Sequence, residues 1–82
     1  MTRVTLLTRP ACDLCEQAKQ VLARVSTDHL LRVEEVALDS PEGQALALRH
    51  AVLFAPGVLL DGEAFSYGRL SEKRLRRALQ SR

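Results

Sequence analysis

Two cysteines, Cys12 and Cys15, lie at the point where a strand-like run gives way to a helix. The strand-like run covers residues 4–7, Pro10 interrupts it, and an amphipathic pattern begins just after Cys12. We therefore expect Cys12 at a helix N-terminus, where unpaired backbone N–H groups and the helix dipole stabilise an anion. Such a setting favours the nucleophilic thiolate, and a second thiol one turn further on can close a disulfide with it. The pattern predicts a site for thiol–disulfide exchange.

Other uses of these cysteines remain open from the residues alone. A purely structural disulfide between Cys12 and Cys15 would stabilise the fold by only about 2 kcal/mol, against about 4 kcal/mol or more for bridges that close long loops. A zinc site needs two further ligands, and the remaining candidates, His29 and His50, are far apart in the chain. Two reduced, unconnected cysteines are the third alternative. The position between strand and helix favours the redox pair.

Length and composition limit the chain to a single core. It has 82 residues, 46% of them hydrophobic, which suits one domain over residues 1–82. No apolar run is long enough to cross a membrane and no signal peptide is visible, so we expect a cytoplasmic protein that does not bind membranes. In that reducing compartment Cys-x-x-Cys is more often catalytic or metal-binding than structural. A formal charge of +2 and 4% aromatic residues argue against nucleic-acid binding, and we expect a monomer.

Hydrophobic spacing, charge pattern and cap residues predict the next three elements. A helix over residues 13–25 follows from apolar residues at helical spacing, namely Leu14, Ala18, Val21, Leu22 and Val25. Residues 30–38 are typical of a strand, and their charges suit the edge of a sheet. Ser40 as N-cap and Pro41 as first helical residue predict a second helix. It fades near His50 and carries the apolar residues Ala45, Leu46 and Leu48.

The last third of the chain predicts a hairpin and a helix. Strands at residues 57–60 and 63–67 are joined by Asp61-Gly62, a strong hairpin signal. Ser71 caps the final helix, with Leu70 and Leu75 placed as a hydrophobic staple. The order β-α-β-α-β-β-α, with a right-handed crossover, predicts an α/β fold in which three helices cover a four-stranded mixed sheet. Five cations in the final ten residues are either a solvated face or a docking site for an acidic partner: Lys73, Arg74, Arg76, Arg77 and Arg82.

This order of elements, with the run Thr8-Arg9-Pro10-Ala11-Cys12-Asp13-Leu14-Cys15, resembles the glutaredoxin-like proteins of the thioredoxin superfamily, especially the short bacterial members. The resemblance covers nearly the whole chain. It implies a thioredoxin-like fold with strand order 2-1-3-4, Cys12 as the nucleophile and Cys15 as the resolving thiol. It also implies a cis peptide bond before Pro56, with the backbone of Ala55 beside Cys12 and able to pair with a substrate.

The chain departs from the glutaredoxin pattern in two places. Glutaredoxins commonly carry Pro-Tyr between the cysteines, where this chain has Asp13-Leu14. They also carry a Gly-Gly pair followed by an aspartate that holds glutathione, where this chain has Gly68 followed by Arg69. Gly68 and Arg69 retain a backbone N–H and a cation for a carboxylate, but no acid is in place for the ammonium group. We therefore expect weak glutathione binding.

The resemblance implies a thiol–disulfide oxidoreductase. Its substrate would be a disulfide-containing protein or a small thiol compound, and a thiol reductant would restore it. Glutathione is a candidate co-substrate, and neither a metal nor another cofactor is expected. The expected substrate-binding residues are Arg9, Ala55, Pro56 and Gly68. Arg9 either supports the thiolate or is simply solvated. The alternatives are a binding module whose cysteines ligate a metal or a bridging iron–sulfur cluster, and a scaffold of this fold that has lost its activity.

Overall fold

Strand β1 (Thr2–Thr8) lies inside the sheet and leads directly to the cysteines. The structure, a computed structural model, describes all of residues 1–82. The elements that follow are α1 (Asp13–Val25), β2 (Leu31–Ala37), α2 (Pro41–His50), β3 (Gly57–Leu60), β4 (Glu63–Tyr67) and α3 (Glu72–Gln80). The sheet order is β2-β1-β3-β4; β1 runs parallel to β2, and β3 runs antiparallel to both β1 and β4. The predicted thioredoxin-like fold with strand order 2-1-3-4 is confirmed.

The alternation of side chains along β1 divides the core between two faces of the sheet. Val4 and Leu6 point to the face that α1 and α3 cover, while Leu7 points to the face covered by α2. The larger cluster joins β1 and β3 to α1 and α3 through buried aliphatic side chains: Val4, Leu6, Ala18, Val21, Leu22, Val25, Val58, Leu60, Leu70, Leu75 and Leu79. The smaller cluster contains Leu7, Val36 and Val52. Helix α1 is thus held rigidly against the strand from which the cysteine loop leaves.

Each helix begins at a side chain that accepts a backbone N–H. Ser40 accepts from Gly43, Ser71 accepts from Arg74, and Cys12 occupies the same position for α1. The hairpin between β3 and β4 turns at Asp61 (φ 49°) and Gly62 (φ 83°), the left-handed pair that such a turn requires. These local predictions are confirmed. None of the three helices is both long and apolar enough to cross a membrane.

Helix α2 begins at the predicted cap, but it does not bury all of the apolar residues that it carries. Of its predicted apolar residues, Leu46 packs on the second cluster, but Ala45 is exposed and Leu48 is 86% exposed. The helix approaches the sheet through Gly43, where a Cβ would overlap the carbonyl oxygen of Ala37. Ala47 follows Gly43 by four residues and so lies on the same face of the helix, and it completes the inner face in place of Leu48. Strand β2 is also one residue shorter at each end than predicted.

Candidate redox site

The loop from Arg9 to Cys12 turns the chain from β1 into α1. Ala11 adopts a left-handed conformation (φ 52°), and Cys12 follows in an extended one as the N-cap of the helix. The Sγ of Cys12 accepts a hydrogen bond of 3.1 Å from the backbone N–H of Cys15. A sulfur at this position therefore receives one of the helix N–H groups that would otherwise have no partner. The predicted placement of Cys12 at a helix N-terminus is confirmed.

The two cysteines form a disulfide with each other. Their Cα atoms are 5.2 Å apart, within the range that disulfides require. Cys12 is only partly buried, whereas Cys15 is 1% exposed and belongs to the inner side of α1. The interpretation of two unconnected cysteines is therefore wrong for this structure. An entering molecule meets the sulfur of Cys12 first.

A polar cluster lies beside α1, at the end of β1 and on the edge strand β2. The hydroxyl of Thr8 donates a hydrogen bond of 2.8 Å to Glu35, and Lys19 Nζ lies 3.2 Å from carboxylate oxygens of both Glu16 and Glu35. The hydroxyl of Thr8, and then the ammonium group of Lys19, hold the pKa of Glu35 below its usual value. The carboxylates of Glu16 and Glu35 raise the pKa of Lys19. This cluster fixes the strand end from which the cysteine loop starts.

The sequence did not single out Thr8, Lys19 and Glu35 as a cluster. The available signal was weak: Lys19 lies one turn after Cys15 and on the same face of α1. Nothing local connects it to Glu35, which comes next to Leu6 only through the parallel register of β1 and β2.

The loop before β3 lies at the same end of the sheet as the cysteines, because Leu7 pairs with Gly57. The peptide bond between Ala55 and Pro56 is cis, as the resemblance implied, and both residues are buried. The N–H of Gly68 (φ 79°) donates a hydrogen bond of 2.8 Å to the carbonyl of Pro56. The structure thus brings Pro56 and Gly68 together, and it uses the Gly68 N–H internally.

An aromatic pair covers this junction. The ring of Phe54 meets Tyr67 edge-on with centroids 5.0 Å apart. It also packs so closely on Gly68 that a Cβ there would lie 2.9 Å from the ring. Phe54 and Tyr67 remain partly exposed. These aromatic residues, which the sequence analysis did not single out, form the surface beside Pro56.

The predicted charges near the site are dispersed. Arg9 is exposed and makes no ion pair; with Pro10, Leu38 and Asp39 it lines a cleft of about 230 Å³. No three His, Cys, Asp or Glu side chains are grouped to hold a metal ion.

Among the C-terminal cations, Arg76 pairs with Asp28 and Glu72, Arg82 pairs with Asp61, and Arg74 lies over the ring of Phe65. Most of that basic run is therefore engaged within the chain.

Comparison with known proteins shows the family to which the chain belongs. The sequence profile of the glutaredoxin-like domain (DUF836) matches residues 3–80. The chain belongs to this glutaredoxin-like family. A search of curated proteins finds no match.

Solved structures resemble this glutaredoxin-like chain in fold. A mutant thioredoxin from Halobacterium salinarum NRC-1 has a TM-score of 0.73 and 24% identity over 98% of this chain and 73% of its own. An uncharacterized thioredoxin-like protein from Clostridium perfringens has a TM-score of 0.78 and 17% identity, covering 99% of this chain and 70% of its own. A malarial protein has a TM-score of 0.70 and 17% identity, covering 99% of this chain and 94% of its own. These structures show the fold, and membership of the glutaredoxin-like family together with the disulfide between Cys12 and Cys15 supports a thiol redox role.

Proposed function

We propose that this glutaredoxin-like protein is a thiol–disulfide oxidoreductase in which Cys12 is the nucleophile and Cys15 the resolving thiol. The unequal placement of the two bonded sulfurs carries this proposal. Cys12 lies partly open at the N-cap of α1 with its Sγ accepting an N–H, while Cys15 is buried behind it. A helix N-terminus favours a thiolate, and the exposed thiolate of a pair is the one that attacks.

The reaction transfers two electrons and begins with the reduced pair. The Cys12 thiolate attacks one sulfur of a substrate disulfide, so that a mixed disulfide forms and the other substrate sulfur leaves as a thiolate, which takes a proton from water. Cys15 then loses its proton and attacks the Sγ of Cys12. The mixed disulfide breaks, the second substrate thiolate leaves, and the pair is oxidised to the disulfide seen here. An external dithiol or two monothiols reverse these steps.

The substrate that we propose is a disulfide in a polypeptide rather than one in glutathione. The loop with Ala55 and Pro56 lies at the same end of the sheet as the cysteines, and the partly exposed aromatic pair Phe54 and Tyr67 lies next to this loop. The N–H of Gly68 is already donated to Pro56, and no acid in residues 67–71 is available for the glutathione ammonium group. Losing one charge-assisted hydrogen bond weakens a complex by about ten- to a hundredfold. Arg9 and Arg69, both exposed and without an ion pair, are the cations available for a substrate carboxylate.

Redox titration and trapping test the proposal. We expect a reversible two-electron couple within about −180 to −270 mV, the span of known exchange proteins. The variant Cys12→Ser should lose disulfide reduction altogether. Its matched partner Cys15→Ser should still attack and should accumulate a mixed disulfide with an oxidised model peptide, detected by mass spectrometry as the added peptide mass.

Three results would overturn the proposal. One is a pair that stays reduced in strongly oxidising buffer. Another is a mixed disulfide trapped on Cys15 instead of Cys12. The last is a coloured, chelator-sensitive species after purification without oxygen, which would assign the cysteines to a metal or an iron–sulfur cluster instead. Ready capture of glutathione by Cys15→Ser would contradict only the choice of substrate.

A further inference from the structure

Strand β2 forms one edge of the sheet and is almost entirely exposed. It pairs only with β1, and Val36 is its single buried residue. Val33, in the middle of the strand, is 46% exposed, and the adjoining Leu30 is 73% exposed. An open strand of seven residues with exposed aliphatic side chains is a template for pairing with another strand.

The hydrogen bonds at the two ends of β2 show which backbone groups are free. The N–H of Thr2 donates to the carbonyl of Leu30, and the N–H of Leu38 donates to the carbonyl of Thr8. Alternate residues of a strand direct their N–H and C=O groups to opposite sides, so the even-numbered residues of β2 bond to β1. The outward groups therefore belong to Leu31, Val33 and Glu35, with Ala37 at the strand end.

We propose that β2 pairs antiparallel with β2 of a second copy of this chain, about a two-fold axis at Val33. In this register Val33 faces Val33 as a hydrogen-bonded pair, which agrees with its outward N–H and C=O. Arg32 then stands directly opposite Glu34 of the other copy, and the two-fold axis repeats this pair. Neither Arg32 nor Glu34 makes an ion pair within the chain. Opposite charges directly across two strands stabilise the pairing.

Charge selects this register over its neighbours. Sliding one strand by two residues in one direction places Arg32 opposite Arg32, and in the other direction it places Glu34 opposite Glu34. Like charges directly opposite each other are destabilising. A slide by one residue sets outward groups against inward ones and breaks the ladder. The chosen register sets Leu31 opposite Glu35, whose carboxylate is already held by Thr8 and Lys19.

The strand is flanked by an apolar cleft that a second copy would extend. The cleft, of about 350 Å³, lies between α1 and β2 and is lined by Leu22, Ala23, Leu31 and Val33, with Lys19 and Glu35 at its polar end. Val33 of the other copy would lie beside it. Antiparallel pairing directs the carboxyl ends of the two β1 strands in opposite directions, so both cysteine sites stay accessible. One strand from each copy is a small contact, and the dimer is therefore reversible. A reversible dimer differs from the monomer that we expect from the sequence alone.

Sedimentation equilibrium of Cys12→Ser/Cys15→Ser protein tests the pairing without contributions from intermolecular disulfides or bridging metal. We expect a monomer–dimer equilibrium that is independent of chelator. Adding Arg32→Glu or Glu34→Arg should each weaken the dimer by about tenfold, because both symmetry-related pairs become repulsive. Adding both substitutions should restore the parent affinity, since the swapped charges are again complementary. Circular dichroism checks that each variant is folded.

A cross-link reports the register directly. In the same background Val33→Cys should form an intermolecular disulfide, because the Cα atoms of a hydrogen-bonded antiparallel pair lie about 5.5 Å apart. The matched control Glu35→Cys should not, since its counterpart lies out of register. A monomer at every concentration, a charge swap that fails to restore the dimer, or cross-linking at residue 35 as readily as at residue 33 would overturn the proposal.

Discussion

At the scale of single residues, the asymmetry between two identical side chains organises the site. Cys12 is partly buried and its Sγ accepts the backbone N–H of Cys15, whereas Cys15 is buried. The charges around them are all exposed: Asp13 and Glu16 lie in the first turn of α1, and Arg9 lies in the preceding loop. Exposed charges act weakly through water, so the backbone of α1 has the larger influence on the Cys12 sulfur.

Alkylation of the reduced protein tests whether the backbone of α1 influences Cys12 more than the exposed charges do. At neutral pH iodoacetamide should modify Cys12 well before Cys15, as followed by mass spectrometry of the two peptides. Asp13→Asn should speed the modification of Cys12 and Arg9→Gln should slow it, each by about threefold or less, because a unit charge at roughly 7 Å in near-aqueous surroundings is worth about 0.6 kcal/mol. Faster reaction of Cys15, or charge effects much larger than these, would contradict the ranking.

At the scale of elements, local signals predicted most of the structure. The helix over residues 13–25 and the strands at 57–60 and 63–67 have the predicted bounds, because spacing, caps and the Asp61-Gly62 turn are encoded by neighbouring residues. The packing of α2 and the cluster around Glu35 were not predicted. Both depend on residues that meet only through the sheet register, such as Gly43 against Ala37 and Thr8 beside Glu35.

In the candidate site, too, some features were predicted from neighbouring residues and others were not. The Cys-x-x-Cys spacing, together with its position between a strand-like run and an amphipathic pattern, favoured the disulfide and placed Cys12 at the start of α1. The cis bond before Pro56 came only from the resemblance, since most X-Pro bonds in proteins are trans. Phe54 and Tyr67 could not be paired from the sequence, because they belong to different elements and face each other across the irregular start of β3.

Helix α2 depends on one residue for its approach to the sheet, and Gly43→Ala tests that dependence. Alanine would gain about 1 kcal/mol of helix propensity, but its Cβ would overlap backbone atoms of Ala37, and overpacking of this kind costs about 1–3 kcal/mol. Because backbone cannot move aside as a side chain does, we expect the cost to lie in the upper half of that range, about 2–3 kcal/mol, which leaves a net loss of about 1–2 kcal/mol in the free energy of urea unfolding. The matched control Gln44→Ala is exposed in the same turn and loses only a long, exposed hydrogen bond of 3.5 Å to the carbonyl of Asp39, so it should change stability little. Equal stability of both variants would show that α2 can shift away from the sheet.

At the scale of the whole molecule, ion pairs join segments that are distant in the sequence. Glu72 of α3 accepts from Arg24 of α1 at 2.9 Å and from Arg76 at 3.0 Å, and Arg76 also reaches Asp28 at 2.7 Å. Asp61 in the hairpin accepts the backbone N–H of Arg3 at 2.9 Å and the side chain of Arg82. Hydrogen bonds from Arg24 and then Arg76 hold the pKa of Glu72 below its usual value. The N–H of Arg3 and then Arg82 do the same to the pKa of Asp61.

These shifts predict how stability depends on pH. A carboxyl group whose pKa is lower in the folded state binds protons more readily after unfolding, so acid favours the unfolded chain. The pKa values of unfolded glutamate and aspartate are close to 4.5 and 3.8. The stabilisation by Glu35, Asp61 and Glu72 should therefore be complete above about pH 5 and should be lost as the pH falls through their lower folded pKa values. The midpoint of urea unfolding should be flat between pH 7 and about 5 and should fall steadily below that.

Glu72→Gln separates this linkage from a general effect of acid. The variant should be less stable at pH 7 than the parent. Its stability should also fall less steeply below pH 5, because glutamine has no carboxyl group that takes up a proton on unfolding. Glu63→Gln is the matched control, since Glu63 is exposed in β4 and makes no ion pair. It should follow the parent curve. High salt should reduce the difference between Glu72→Gln and the parent, because exposed ion pairs are screened. If the stability of the parent and of Glu72→Gln fell in parallel below pH 5, the acid sensitivity would belong to groups other than Glu72.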